Sequence, residues 1–148
     1  ISNVWFHDYV YGTALALDAF ATLGRADDPA AIRCRDWLLA NQNEDGSWGG
    51  SRGMPGTVEE SAWALAALLS EGVVVPPELL DRAAAWLVEK QQPGGTWQPS
   101  VLGVYFPSLW YSDDHIANSF ALGALARYWR WRTGKSFAAK EREERSIQ

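Results

Sequence analysis

Nine tryptophans in a chain of 148 residues are the first chemical signal. Indoles in that number either build repeated turns, where the ring covers a helix end, or wall a pocket with π-faces. Two acidic pairs add a second possibility. Glu59-Glu60 and Asp113-Asp114 could each work as an acid or orient a water molecule, since neighbouring carboxyls drive their pKa values apart. His115, next to the second pair, could orient such an acid or end a cation by deprotonation. Both pairs stand at the start of an apolar helical pattern. Their competing role is therefore plain capping and compensation of the helix dipole, and His115 then reads as a partly exposed first-turn residue.

Other chemistries are poorly served. Cys34 is the single cysteine, so no internal disulfide can form, and it lies in Arg-Cys-Arg without an aspartate two residues earlier. No zinc or other metal site is expected from it. There is no thioester Gly-Cys-Gly-Glu-Gln, and the glycines of 49–56 read as a loop between units, not a phosphate cradle. A net charge of −5 argues against nucleic acid, which needs a basic face. No apolar run reaches the roughly 18–20 residues of a membrane span, and no signal-peptide pattern is present. The chain begins at Ile1 and reads as a fragment, a processed chain or a piece of something longer.

The elements that must position these residues come from an internal repeat. Arg33, Trp37, Gln42, Gly46 and Trp48 recur as Arg82, Trp86, Gln91, Gly95 and Trp97, each displaced by 49 residues. The preceding segments, 11–24 and 60–72, match at a displacement of 48. Each unit is a helix, a link, a second helix and a Gln…Gly-x-Trp turn, and a third unit starts near Ser112. Asp28-Pro29, the capping box Thr57–Glu60, Pro76-Pro77 and Ser112-Asp113 mark helix starts, while Gly24, Gly72 and Gly134 mark stops. The periodicity predicts helices over 8–23, 28–42, 57–71, 77–91 and 112–132 and no strand. The fold class is all-α: tandem helical hairpins forming part of an α/α toroid, with helices 1, 3 and 5 inside and 2 and 4 outside. The domain spans 1–134, with turn repeats at about 33–48 and 82–97, and 135–148 reads as a charged, frayed tail.

The motif R-x3-W-L-x3-Q…G-x-W resembles the QW motif of squalene-hopene and oxidosqualene cyclases. DYVYGT (8–13), TVEESAWALAALL (57–69) and YFPSLWYSDDHIANSFALGALARY (105–128) are similar, in the same order, to segments of bacterial hopene cyclases. The resemblance implies the C-terminal part of a class II terpene cyclase domain. Such enzymes protonate a polyene or epoxide and fold it through carbocations without metal or organic cofactor. It implies an isoprenoid substrate, with the aromatics matched by Tyr9, Trp63, Phe106 and Trp110, and Tyr111 beside them, lining the cavity. Tyr11 is a weaker candidate. A cation held against such rings gains about 0.5–2 kcal/mol each when desolvated. The QW residues themselves are expected to be structural.

The D-x-D-D acid of these cyclases lies before the matched region, and no such motif occurs between 1 and 148. Activity is therefore expected to need the N-terminal part or a partner chain. Where hopene cyclases carry Ser-Gln before Thr-Ala-Trp, this chain has Glu59-Glu60, and where they carry tyrosines it has Ser112, Asp113, Asp114 and His115. A more polar pocket mouth and a prenyl diphosphate substrate are one consequence. From another class of function, the chain could be a standalone isoprenoid-binding or protein-interaction module, or one subunit of a split cyclase. A cytoplasmic location is expected, with peripheral membrane association and homo-oligomerisation both compatible.

Overall fold

A computed structural model describes residues 9–101, 103–104 and 110–134. The element order is α1 (Val10–Thr22), α2 (Pro29–Ala40), α3 (Val58–Leu68), α4 (Pro77–Glu89), β1 (Gly103–Val104), β2 (Trp110–Tyr111) and α5 (Asp114–Thr133). The five expected helices are all present. The expectation of no strand needs one local amendment, because β1 and β2 form a two-residue antiparallel pair, Gly103 opposite Tyr111 and Val104 opposite Trp110. The tail 135–148 lies outside the described residues.

Helix ends differ from the expected bounds for identifiable reasons. Asp28 caps α2 by accepting from the Ala30 amide at 2.8 Å, with Pro29 supplying the preset φ of the first helical position. α2 stops at Ala40, two residues early, because Asn41 and Gln42 already belong to the turn: the Asn41 side chain donates to the Trp37 carbonyl. α5 starts at Asp114 because its cap is Asp113, not Ser112. The Asp113 carboxylate accepts from the amides of His115 and Ile116, at 2.7 and 3.3 Å. The Thr57 box is a variant. Its hydroxyl accepts from the Glu60 amide and donates to the Glu60 carboxylate, while the Thr57 amide donates to the Trp48 carbonyl at 3.0 Å.

α1, α3 and α5 lie side by side, with α3 packed against both others. α2 sits behind α1, and α4 behind α3 and α5. Small residues permit the close approach of the first layer: Ala14 and Ala21 on α1, Ala62 and Ala67 on α3, Ala117, Ala121 and Ala124 on α5, all buried. α3 is buried nearly all round, which is what an interior helix with little polar surface requires. The second-layer helices are one-sided. α2 buries Ala31, Cys34 and Leu38, and α4 buries Leu80, Ala83, Ala84 and Leu87, stripes spaced by three and four residues.

Candidate functional site

The QW residues form the mortise between units. Trp48 is fully buried and its indole N–H donates to the Leu38 carbonyl at 2.7 Å; Trp97 does the same to Leu87 at 2.7 Å. Each ring thus adds a donor to a carbonyl in the last turn of its own unit's second helix, where regular intrahelical bonding ends. The first turn also grips the next unit. Gln42 donates to the carbonyls of Gly46 and Leu79, both at 3.0 Å, and accepts from the Arg82 guanidinium at 2.8 Å. Trp86 donates to the Asp45 carboxylate at 3.0 Å. Partial burial works to raise the Asp45 pKa, but bonds from the Ser47 hydroxyl and amide and from the Trp86 indole outweigh it, and the value lies below the ordinary one. In the second turn Gln91 donates to Gly95 at 2.9 Å, while Arg33 and Trp37 begin the array on α2.

A separate, apolar groove opens on the exposed side of the first layer. It encloses about 280 Å³. Its upper part is aromatic: Tyr11 lies 4.1 Å from Trp63, and Trp63 5.0 Å from Phe120, centroid to centroid, at interplanar angles of 55° and 58°. Ala14, Ala66 and Gly123 form the walls. The far end is polar. Arg127 and the Ser70 hydroxyl both donate to Asp18 Oδ1, at 3.1 and 2.6 Å.

One spacing generates this arrangement. α1 and α5 each carry a groove aromatic and, seven residues later, a polar groove residue, Tyr11 and Asp18, Phe120 and Arg127, while Ser70, seven residues after Trp63, lies just past the end of α3 and bonds Asp18. Two helical turns separate the residues of each helical pair, so α1 and α5 flanking Trp63 produce one aromatic end and one polar end. The groove residues offer π-faces and methyl groups around the aromatic end. That environment suits a hydrocarbon and can stabilise a cation without trapping it as a bond.

Of the expected cavity residues, the structure brings Trp63 into this groove. Tyr9 stands apart from it, 46% exposed, with its ring edge-on to Trp37 at 6.4 Å and its amide donating to Gly50 at 2.9 Å. Trp110 and Tyr111 form β2, paired with β1. Phe106 lies outside the described residues. The other aromatics of the groove are Tyr11, a weaker candidate by resemblance, and Phe120, an apolar residue of the α5 helical pattern. The seven-residue aromatic-to-polar spacing was the signal available for them.

The acidic candidates occupy other places. Asp113 is the α5 cap, Asp114 is exposed in the first turn, and His115 is exposed. None of the three lines the groove. Glu60 belongs to the capping box. Glu59 departs from the polar-mouth expectation: it is fully buried, and both its carboxylate oxygens are taken by Ser100. Cys34 is buried, and desolvation raises its thiol pKa. Among the described residues no three or more His, Cys, Asp or Glu side chains gather as a metal site. No helix among them is long and apolar enough to cross a membrane.

Paired helices in two layers, locked by Gln…Gly-x-Trp turns, define a segment of an α/α toroid. The family model of the squalene-hopene cyclase C-terminal domain matches residues 3–130, and the chain belongs to that family. It is 35% identical over 138 aligned positions to the squalene–hopene cyclase of Bradyrhizobium diazoefficiens, covering 84% of this chain and 21% of that protein. Against human lanosterol synthase the identity is 30%, over 84% of this chain and 19% of the relative. Against the drimenyl diphosphate synthase of Streptomyces showdoensis it is 36%, over 79% and 22%. The chain thus spans about a fifth of the length of these relatives. A crystal structure of a protein from Actinoplanes shares the fold, with a TM-score of 0.71 at 24% identity, over 86% of this chain and 45% of that one.

Proposed function

We propose that this chain supplies part of the wall of a cavity in which a protonated polyene cyclises through carbocations, within a class II terpene or triterpene cyclase. The acid comes from residues outside 1–148. The observation that carries the reading is the Tyr11–Trp63–Phe120 cluster in an alanine- and glycine-walled groove. Three aromatic rings, Trp63 in contact with each of the other two, can follow a positive charge as it migrates along a folding chain. The surrounding methyl groups offer no nucleophile to trap the cation.

The proposed division of labour has a direct consequence. Incubated alone with squalene, epoxysqualene or geranylgeranyl diphosphate, the chain is expected to yield no cyclic product by gas chromatography–mass spectrometry. A cyclic product from the chain alone would contradict the assignment of the acid to residues elsewhere.

A further inference from the structure

Glu59 is an uncommon residue for its place. It sits in the first turn of α3 with no exposed surface, yet burying a carboxylate is costly unless charge-assisted hydrogen bonds compensate. The compensation comes from one residue 41 positions later. The Ser100 amide donates to Glu59 Oε1 at 2.8 Å and the Ser100 hydroxyl to Oε2 at 2.6 Å. Both carboxyl oxygens of Glu59 are thus engaged by one residue, at the helix end where the α3 dipole favours acidic side chains.

Ser100 lies three residues before β1, which pairs with β2 and so with Trp110 and Tyr111. Upstream, Trp97 is fixed twice, its amide donating to the Asn118 side chain at 2.8 Å and its indole to Leu87. The segment from the second turn to β1 is therefore pinned at both ends. In the first unit the corresponding link returns through neutral contacts: Thr57 amide to Trp48 carbonyl, and Asn43 side chain to Met54 carbonyl. Holding a chain segment does not by itself need a buried charge.

We propose that Glu59 is a positioning residue, whose carboxylate sets Ser100 and thereby the place of the β1–β2 pair relative to the first-layer helices. Resting on the cavity reading above and on the resemblance that assigns Trp110 and Tyr111 to the cavity wall, this gives Glu59 an indirect part in shaping the site, since β2 carries both residues. The helix start supplies a rigid base for the carboxylate, and the two bonds fix both the position and the rotation of the Ser100 backbone.

Amide hydrogen exchange of the chain, with affinity for a trialkylammonium isoprenoid as a second readout, tests this. Ser100→Ala removes one bond without touching α3. It is expected to speed exchange of the amides of Gln98, Ser100, Val101, Gly103, Val104, Trp110 and Tyr111 by about tenfold, the order of the equilibrium factor for losing one hydrogen bond. Leu17 and Leu65 keep their protection, and affinity for the ammonium ion falls. Ser100→Thr retains the hydroxyl and restores both, while Glu59→Gln, with one acceptor, lies between. Unchanged exchange, a uniform rise across all helices, or local loosening without any change in affinity would each overturn the proposal. If the wild-type chain binds no ammonium ion, the cavity reading fails and the functional part of this proposal with it, whereas exchange alone still decides whether Glu59 holds Ser100.

Discussion

Trp48→Ala is expected to destabilise the chain by about 3–5 kcal/mol, the usual cost of emptying a large aromatic site in a core. The ring is wholly buried among the helices and closes the end of α2. Burying about 150–250 Å² of indole at about 25 cal/mol/Å² accounts for roughly 4–6 kcal/mol before the surroundings relax. Trp48→Phe separates the two contributions. It keeps most of the apolar area and loses the bond to Leu38, whose carbonyl still accepts from the Asn41 amide. Its bond-related loss is therefore about 1 kcal/mol. Urea denaturation of the two variants gives both values. A loss below 1 kcal/mol for Trp48→Ala would mean that the turn does not hold the layers together.

Gly46→Ala and Gly95→Ala form the second large contrast. They occupy the same motif position and share left-handed backbone, φ +93° and +81°. A methyl at position 95 meets nothing within 4 Å, so its cost is the conformational strain alone, about 1–2 kcal/mol. A methyl at position 46 would stand 2.7 Å from the Arg82 carbonyl oxygen and 2.8 Å from its carbon. Backbone cannot step aside cheaply. The first turn must then lift off α4, straining the bonds from Gln42 to Leu79 and from Arg82 to Gln42. Roughly 2–5 kcal/mol is expected at position 46. Thermal or urea unfolding of both variants decides it, and equal costs would contradict the docking of the first turn on α4.

Much of this architecture was legible because it repeats. The 49-residue displacement exposed the turns, and Asp28-Pro29 and Thr57 marked helix starts through local bonds that span two or three residues. The bonds that join units are different. Gln42 to Arg82 and Glu59 to Ser100 cross 40 and 41 residues, and nothing local in a sequence pairs such residues. Asp113 rather than Ser112 caps α5 because its carboxylate can accept two amides at once, whereas either residue type fits the pattern. The groove was half visible. Trp63 stood out by its resemblance to a known cavity residue, whereas Phe120 looked like any apolar helix position until three helices were set side by side. Tyr9, two residues before Tyr11, points toward α2 because a helix turns about 100° per residue.

The cationic-isoprenoid role proposed for the Tyr11–Trp63–Phe120 groove is checked by titrating the chain with a trialkylammonium isoprenoid that mimics a carbocation, alongside its uncharged hydrocarbon counterpart. Loss of one desolvated cation–π partner is expected to weaken ammonium binding about 5- to 30-fold in Trp63→Leu, corresponding to about 1–2 kcal/mol. The hydrocarbon, which gains only apolar contact from the ring, should lose much less. Equal affinity of wild type and Trp63→Leu for the ammonium ion would contradict the account.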